Sequence, residues 1–212
     1  MAKSRRGLIA RVGLGITIAL FVTSCTDNHA DSSKGALSGP STPAAKVGQS
    51  IPAHLSGSGT ATDIGIVVDQ VRCGIDSIDQ NSGPLEVPDG YRYCEADLEV
   101  TNTGGGTTGK LTFTGTMNGE DGASYASDPD ATKAAGAVIT TLNTKFYGTP
   151  ETPPLAAGQK AETAVVWAMP IGIGPTGMTL AGPGVTSVAA QPALGPITVA
   201  AGDIQWQSPK GE

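Results

Sequence analysis

The segment Gly90 to Thr103, GYRYCEADLEVTNT, alternates apolar and polar residues along its length. Cys94, Ala96, Leu98 and Val100 fall on one side of an extended chain, and Glu95, Asp97, Glu99 and Thr101 on the other. A repeat of two does not collect on one face of a helix, whose repeat is 3.6. It specifies a strand with one dry and one solvated face. A strand of that kind is stable only if its dry face is covered by a second layer, so the rest of the chain must supply one.

The flanking sequence supplies further strands. Asp63 to Ile75 (DIGIVVDQVRCGI) is rich in β-branched residues, and Leu111 to Met117 (LTFTGTM) points Leu111, Phe113 and Met117 inward and threonines outward. Asn118-Gly119-Glu120-Asp121-Gly122 is a turn that returns the chain through Ala123 to Ser127 as a hairpin. After the loop DPDATKAAGA, Val138 to Tyr147 reads as a strand. Ala161 to Met169 (AETAVVWAM) reads as a strand buried on both sides and stopped by Pro170. Shorter strands are expected near Met178 to Ala181, Val185 to Ala189 and Ile197 to Ala200. No long amphipathic helix is legible; Ala131 to Ala137 offers one short helical turn. Short strands between Gly/Pro punctuation, with 30 glycines and 4% aromatics, predict an all-β antiparallel sandwich over residues 59–202 and a C-terminal tail over 203–212.

The first 24 residues read as an export signal. Lys3, Arg5, Arg6 and Arg11 form a basic start with no acid, and Val12 to Thr23 is an uncharged apolar run. A permanent bilayer span needs about 20 apolar residues, which this run does not reach. Val22-Thr23-Ser24-Cys25 resembles the lipobox of bacterial lipoproteins. That resemblance implies cleavage before Cys25, a diacylglycerol on its thiol, further acylation such as palmitate at the new amino terminus, and no other cofactor. One acyl chain holds a protein only reversibly, whereas two or more anchor it. The alternative is an ordinary cleaved signal with an incidental cysteine. Ser4-Arg5-Arg6-Gly7-Leu8-Ile9 also resembles a twin-arginine export motif, which leaves the route, general or twin-arginine, open. The expected location is the extracytoplasmic face of the cell membrane, with a membrane partner reached through the lipid.

Residues 25–58 hold the lipidated cysteine and a Ser/Thr/Gly/Pro/Ala-rich segment, TDNHADSSKGALSGPSTPAAKVGQSIPAHLSGS, without apolar periodicity. It reads as a flexible linker, able to hold a body about 30 Å from its anchor. Loss of residues 1–24 leaves 9 basic against 19 acidic side chains, a net charge near −10. Such a surface repels phosphate backbones and excludes nucleic acid as a partner class. With Cys25 acylated, Cys73 and Cys94 remain, each in an expected strand. An even number of thiols in an oxidising compartment predicts a disulfide between them, two buried free thiols being the alternative.

Leu98-Glu99-Val100-Thr101-Asn102-Thr103-Gly104 resembles the hydrophobic-x-V-x-N-x-G strand of a large group of bacterial surface lipoproteins of unknown function. Gly119-Glu120-Asp121-Gly122-Ala123-Ser124-Tyr125 is similar to that group's acidic dG-x-x-Y turn, and Leu155 to Gln159, before the strand ending at Pro170, to its L-x-x-G-x-x turn. The same layout is similar to a small secreted mycobacterial immunoglobulin-like antigen. The resemblance spans roughly residues 62–170 and implies an immunoglobulin-like β-sandwich on a lipid-anchored stalk. It implies no activity, and the Gly/Pro-rich residues after Pro170 depart from it.

Residues for catalysis are scarce. Both histidines, His29 and His54, fall in the expected linker, whereas a Ser-His-Asp or Cys-His mechanism needs an imidazole held rigidly beside its nucleophile. No Gly-x-Ser-x-Gly, His-Glu-x-x-His or Ser-x-x-Lys pattern occurs. Glu120, Asp121, Asp128 and Asp130 flank one hairpin and its exit loop and are candidate Ca²⁺ ligands, although acidic turns are ordinary solvated chemistry. A sheet face of Glu95, Asp97 and Glu99 is a candidate partner surface but reads more simply as a wet strand face. Glycan binding would use exposed Trp or Tyr; Trp167 reads as core, leaving Trp206, Tyr91 and Tyr93 as candidates. The expected function is therefore a binding or interaction module of the bacterial envelope that engages another envelope protein, with a small-ligand, Ca²⁺ or glycan binder as the second reading and a hydrolase with a carboxylate pair as the third.

Overall fold

A computed structural model describes residues 44–57, 60–80, 82–144, 152–181, 184–185 and 194–208. The export signal, Cys25 and His29 lie outside the described residues. In chain order the elements are β1 (Ala45–Lys46), β2 (Ser50–Gly57), β3 (Thr60–Ile75), β4 (Ser77–Ile78), β5 (Leu85–Glu86), β6 (Tyr91–Asn102) and β7 (Leu111–Thr112). They continue with β8 (Gly115–Gly119), β9 (Ser124–Ala126), α1 (Pro129–Thr144), β10 (Lys160–Pro170), β11 (Pro175–Leu180), β12 (Gly184–Val185), β13 (Leu194–Thr198) and β14 (Ile204–Trp206).

Two sheets form the body. One runs β1-β13-β11-β8-β9; the other runs β10-β6-β3-β14, with β2 on the same edge of β3 as β14 but lower down. Pairing is antiparallel except for β1 with β13 and β14 with β3. The inward residues of β6 and β10, among them Cys94, Ala96, Leu98, Val100, Val165 and Trp167, join Met117, Met178, Leu180 and Ile197 of the facing sheet in one buried cluster. Each large aliphatic side chain so buried contributes roughly 1.5–3 kcal/mol. The fold is a β-sandwich, as the alternation over Gly90 to Thr103 predicts.

One helix accompanies the strands of the sandwich. The strand expected over Val138 to Tyr147 is, over its described part, the C-terminal half of α1. Asp128 starts the helix: its Oδ1 accepts from the amides of Asp130 and Ala131 at 3.0 and 2.9 Å, and Pro129 suits a first helical position. Ala131, Ala134 and Ala135 then pack on Ala164, Val166, Ile75, Ile78 and Tyr93 as a second buried cluster on the outer face of β6 and β10. The β-branched run Val138-Ile139-Thr140-Thr141 costs a helix only a few tenths of a kcal/mol per residue, less than the cap and this packing return.

The helix also protects an edge. β10 is the last strand of its sheet, and an unpaired strand edge invites association. Here the Val166 carbonyl accepts from Asp128 N at 2.8 Å and the Val166 amide donates to Thr132 Oγ1 at 2.9 Å.

The segments read as linker and tail each contain a strand. Ser50–Gly57, inside the expected linker, pairs with Thr60 to Val67. Its alternation Ile51, Ala53, Leu55 was present in the sequence, and Leu55 is fully buried. His54 therefore sits on a rigid strand, its Nδ1 2.6 Å from Asp63 Oδ1, both side chains about two-thirds exposed. Ile204–Trp206, inside the expected tail, lies parallel to Val71 to Cys73.

Candidate functional site

The core opens at one end of the sandwich. β14 crosses the top of β3, where Trp206 is in register with Cys73 and Gln207 donates its amide to the Cys73 carbonyl at 2.8 Å. This crossing needs Gly74: its φ is +85°, and a side chain there would sit 2.6 Å from the Gln207 carbonyl oxygen. Between β14, β6 and the turn after β10 lies a cleft of about 190 Å³. Cys94, Met169 and Ile173 form its walls, Ile171 and Trp206 its rim, and Arg92 its one charged lining residue. Trp206 is 59% exposed and Ile171 56%, the two most exposed large apolar side chains among the described residues. Arg92 is held in place by Asp76, 2.7 Å from its Nε, and by the Tyr91 carbonyl, which accepts from Nη1 at 2.8 Å.

The wall at Cys94 is rigid. Cys73 and Cys94 stand directly opposite in the β3–β6 ladder, their Cα atoms 4.1 Å apart, and are joined as the predicted disulfide. Trp167, in register with Cys94 on the other side, is fully buried and donates its Nε1–H to the Gly115 carbonyl at 3.3 Å. It is core, as read from sequence.

The acidic face of β6 is not the solvated surface that its alternation predicts. Glu95 is 5% exposed. Arg72 of β3, in register with it, places Nη2 3.0 Å from Glu95 Oε1 and 3.2 Å from Asp97 Oδ1, and Gln70 donates to Asp97 Oδ2. The Glu95 carboxyl is pushed up to about 7, burial raising it most, Arg72 lowering it and Asp97 raising it. Glu99 remains nearer solvent and pairs with Lys160 at 2.6 Å. Tyr93 is buried in the cluster under α1, and Tyr91 is partly exposed at the cleft end of the strand.

The four candidate Ca²⁺ ligands do separate work. Asp121 accepts from the Ala123 amide at 3.0 Å and from Tyr125 Oη at 2.6 Å, which holds its carboxyl below the usual range and pushes Tyr125 up to about 12. Asp128 caps α1, Asp130 stands in that helix's first turn, and Glu120 lies against Gly174. Among the described residues, no three His, Cys, Asp or Glu side chains come together as a metal-holding group.

Two of the recognised motifs prove to be joints of the fold. Asn102 is fully buried; its Nδ2 donates to the carbonyls of Gly106 and Leu155 at 2.7 and 2.8 Å, and its Oδ1 accepts from Thr62 Oγ1 and Gly104 N at 2.9 and 3.0 Å. Gly104 must lack a side chain, because a Cβ would stand 2.3 Å from Thr62 Oγ1. Trp206 and its rim were the part of the site that sequence reasoning left in a tail. The alternation Ile204, Gln205, Trp206 was too short to signal a strand by itself.

No protein-family model matches the chain, and no curated protein matches it. Among solved structures, an uncharacterised β-sandwich protein from Clostridium difficile 630 is similar at 11% sequence identity, covering 71% of this chain and 91% of that one with a TM-score of 0.36.

Proposed function

We propose that this protein is a lipid-anchored binding module of the bacterial envelope, without catalytic function, that presents the Trp206 end of its sandwich to another envelope component. The observation that carries this reading is the placement of Trp206 and Ile171. Large apolar side chains are costly to expose, and the two most exposed ones among the described residues sit at the rim of the same cleft. Aromatic anchors beside a concavity are the usual centre of a recognition surface. Anchoring rests on Val22-Thr23-Ser24-Cys25 and the basic-then-apolar start, and the proposed relationship to unknown-function immunoglobulin-like lipoproteins on the motifs around Asn102, Tyr125 and Leu155.

Anchoring is tested by labelling cells with a fatty acid: incorporation is expected in the parent chain and absent in Cys25→Ala. Engagement is tested by placing a photo-crosslinking residue at position 206, or at Ser124 on the facing sheet's edge, in intact cells. The reading expects a discrete envelope adduct from position 206, lost in Ile171→Asp, and none from position 124. Equal adducts from both positions overturn it.

A further inference from the structure

We infer that the cleft at the Trp206 end binds a small carboxylate-bearing amphiphile, its alkyl part seated against Met169, Ile173 and Cys94 and its carboxylate on Arg92. This rests on the binding-module reading and names the ligand class of that same site.

Volume sets the size of the apolar part. An apolar cavity of about 150 Å³ holds a benzene ring, so one of about 190 Å³ takes an alkyl or ring group of roughly six to eight carbons. The walls set its chemistry. Two sulfur-bearing side chains and an isoleucine offer dispersion contact and almost no hydrogen bonding. A sugar would leave hydroxyls unpaired against such walls, at about 1–3 kcal/mol for each group stranded. The Trp206 indole on the rim covers the alkyl part where it emerges.

Charge sets the head group. Arg92 is the only charged residue in the lining among the described residues. Asp76 Oδ1 stands 2.7 Å from its Nε, and the Tyr91 carbonyl accepts from its Nη1 at 2.8 Å. A guanidinium carries five donors, and among the described residues these contacts engage Nε and Nη1, so the Nη edge can meet an added acceptor. A carboxylate meets that fork with two parallel hydrogen bonds. Asp76 fixes the guanidinium from the β3–β4 turn, so the fork is placed before a ligand arrives and little side-chain entropy is lost on binding.

The test titrates the full chain with octanoate, octanol and octylamine, followed by calorimetry and by indole emission, with Trp206→Phe identifying the responding indole. One saturable site is expected for octanoate, about tenfold tighter than octanol, with octylamine weakest and a blue shift from Trp206. Arg92→Gln should erase the advantage of octanoate over octanol, and Ile171→Asp should weaken both. Ile171 is largely exposed, so its variant folds and keeps the test decisive if Arg92→Gln does not. No saturable binding of any probe, equal or tighter binding of octylamine, or octanoate binding unchanged in both variants overturns the inference. If octanoate fails while the position-206 adduct persists, the ligand class falls and the partner reading stands. If octanoate binds and no adduct forms, the partner reading falls alone.

Discussion

Arg72 Nη2 lies 3.0 Å from Glu95 Oε1 across the β3–β6 ladder, a cation laid over a carboxylate whose side chain is only 7% exposed. Removing Arg72 would leave Glu95 without its cation in a dry place, whereas Arg72 is 30% exposed and also contacts Asp97.

Stability should fall as pH rises through neutrality. Glu95 titrates near 4.5 when unfolded and near 7 when folded, so between those values the folded chain keeps a proton that the unfolded chain has lost. Its contribution is complete below about pH 4.5 and is lost as pH passes about 7, amounting to at most roughly 3 kcal/mol. Urea midpoints at pH 5 and pH 8 should therefore differ more in the parent chain than in Glu95→Gln. An equal pH response in the two proteins would count against the buried pair.

Truncating Asn102 should be severe for so small a change. Asn102→Ala strands the Gly106 carbonyl and the Thr62 hydroxyl and takes one of two donors from the Leu155 carbonyl, which keeps the Thr108 amide, and each buried group left unpaired costs about 1–3 kcal/mol. Loss of about 2–4 kcal/mol is expected by chemical denaturation, while Thr103→Ala, next door on the exposed side, should lose little. Comparable losses at both sites would contradict the role assigned to Asn102.

Removing the disulfide should lower stability by roughly 3 kcal/mol, because the bridge closes a loop over a sequence separation of 21. Cys73→Ala/Cys94→Ala should unfold at lower urea with native far-ultraviolet dichroism, since the surrounding ladder β3–β6 pairs from Ile64 to Ile75. A midpoint that does not move would show the bridge to be dispensable.

The Asp121–Tyr125 contact should be visible by titration. In Tyr125→Phe the Asp121 carboxyl loses its largest stabilising partner and should titrate higher, toward the ordinary range. Carboxyl carbon resonances read across pH measure this directly. An unshifted Asp121 would mean that the backbone amide of Ala123 alone accounts for its depressed value.

Much of the body was legible in the amino-acid order. The period-two pattern of Cys94 to Thr101 marks β6, and Leu111, Phe113 and Met117 are buried as their spacing predicts. Trp167 in a run of apolar residues is core, and the two remaining cysteines pair. The failures share a cause. Val138 to Thr144 carries strand-forming residues, yet an Asp128 cap and three alanines facing Val166 and Tyr93 make it helical. Ser50–Gly57 carries linker composition, yet β3 has an open edge that it completes.

Local order along the chain thus determined which stretches extend, where they turn and which two sulfurs are left to meet, because backbone sterics and the alternation of side chains act over a few residues. Only the tertiary structure decided that Glu95 is buried under an arginine and that Trp206 reaches the rim of a cleft. Both depend on which strand lies beside β3: Arg72 comes from β3 itself, 23 positions from Glu95, and Trp206 arrives on β14, more than 130 positions later in the chain. Burial and electrostatics are set by such neighbours, and no short window of residues contains them.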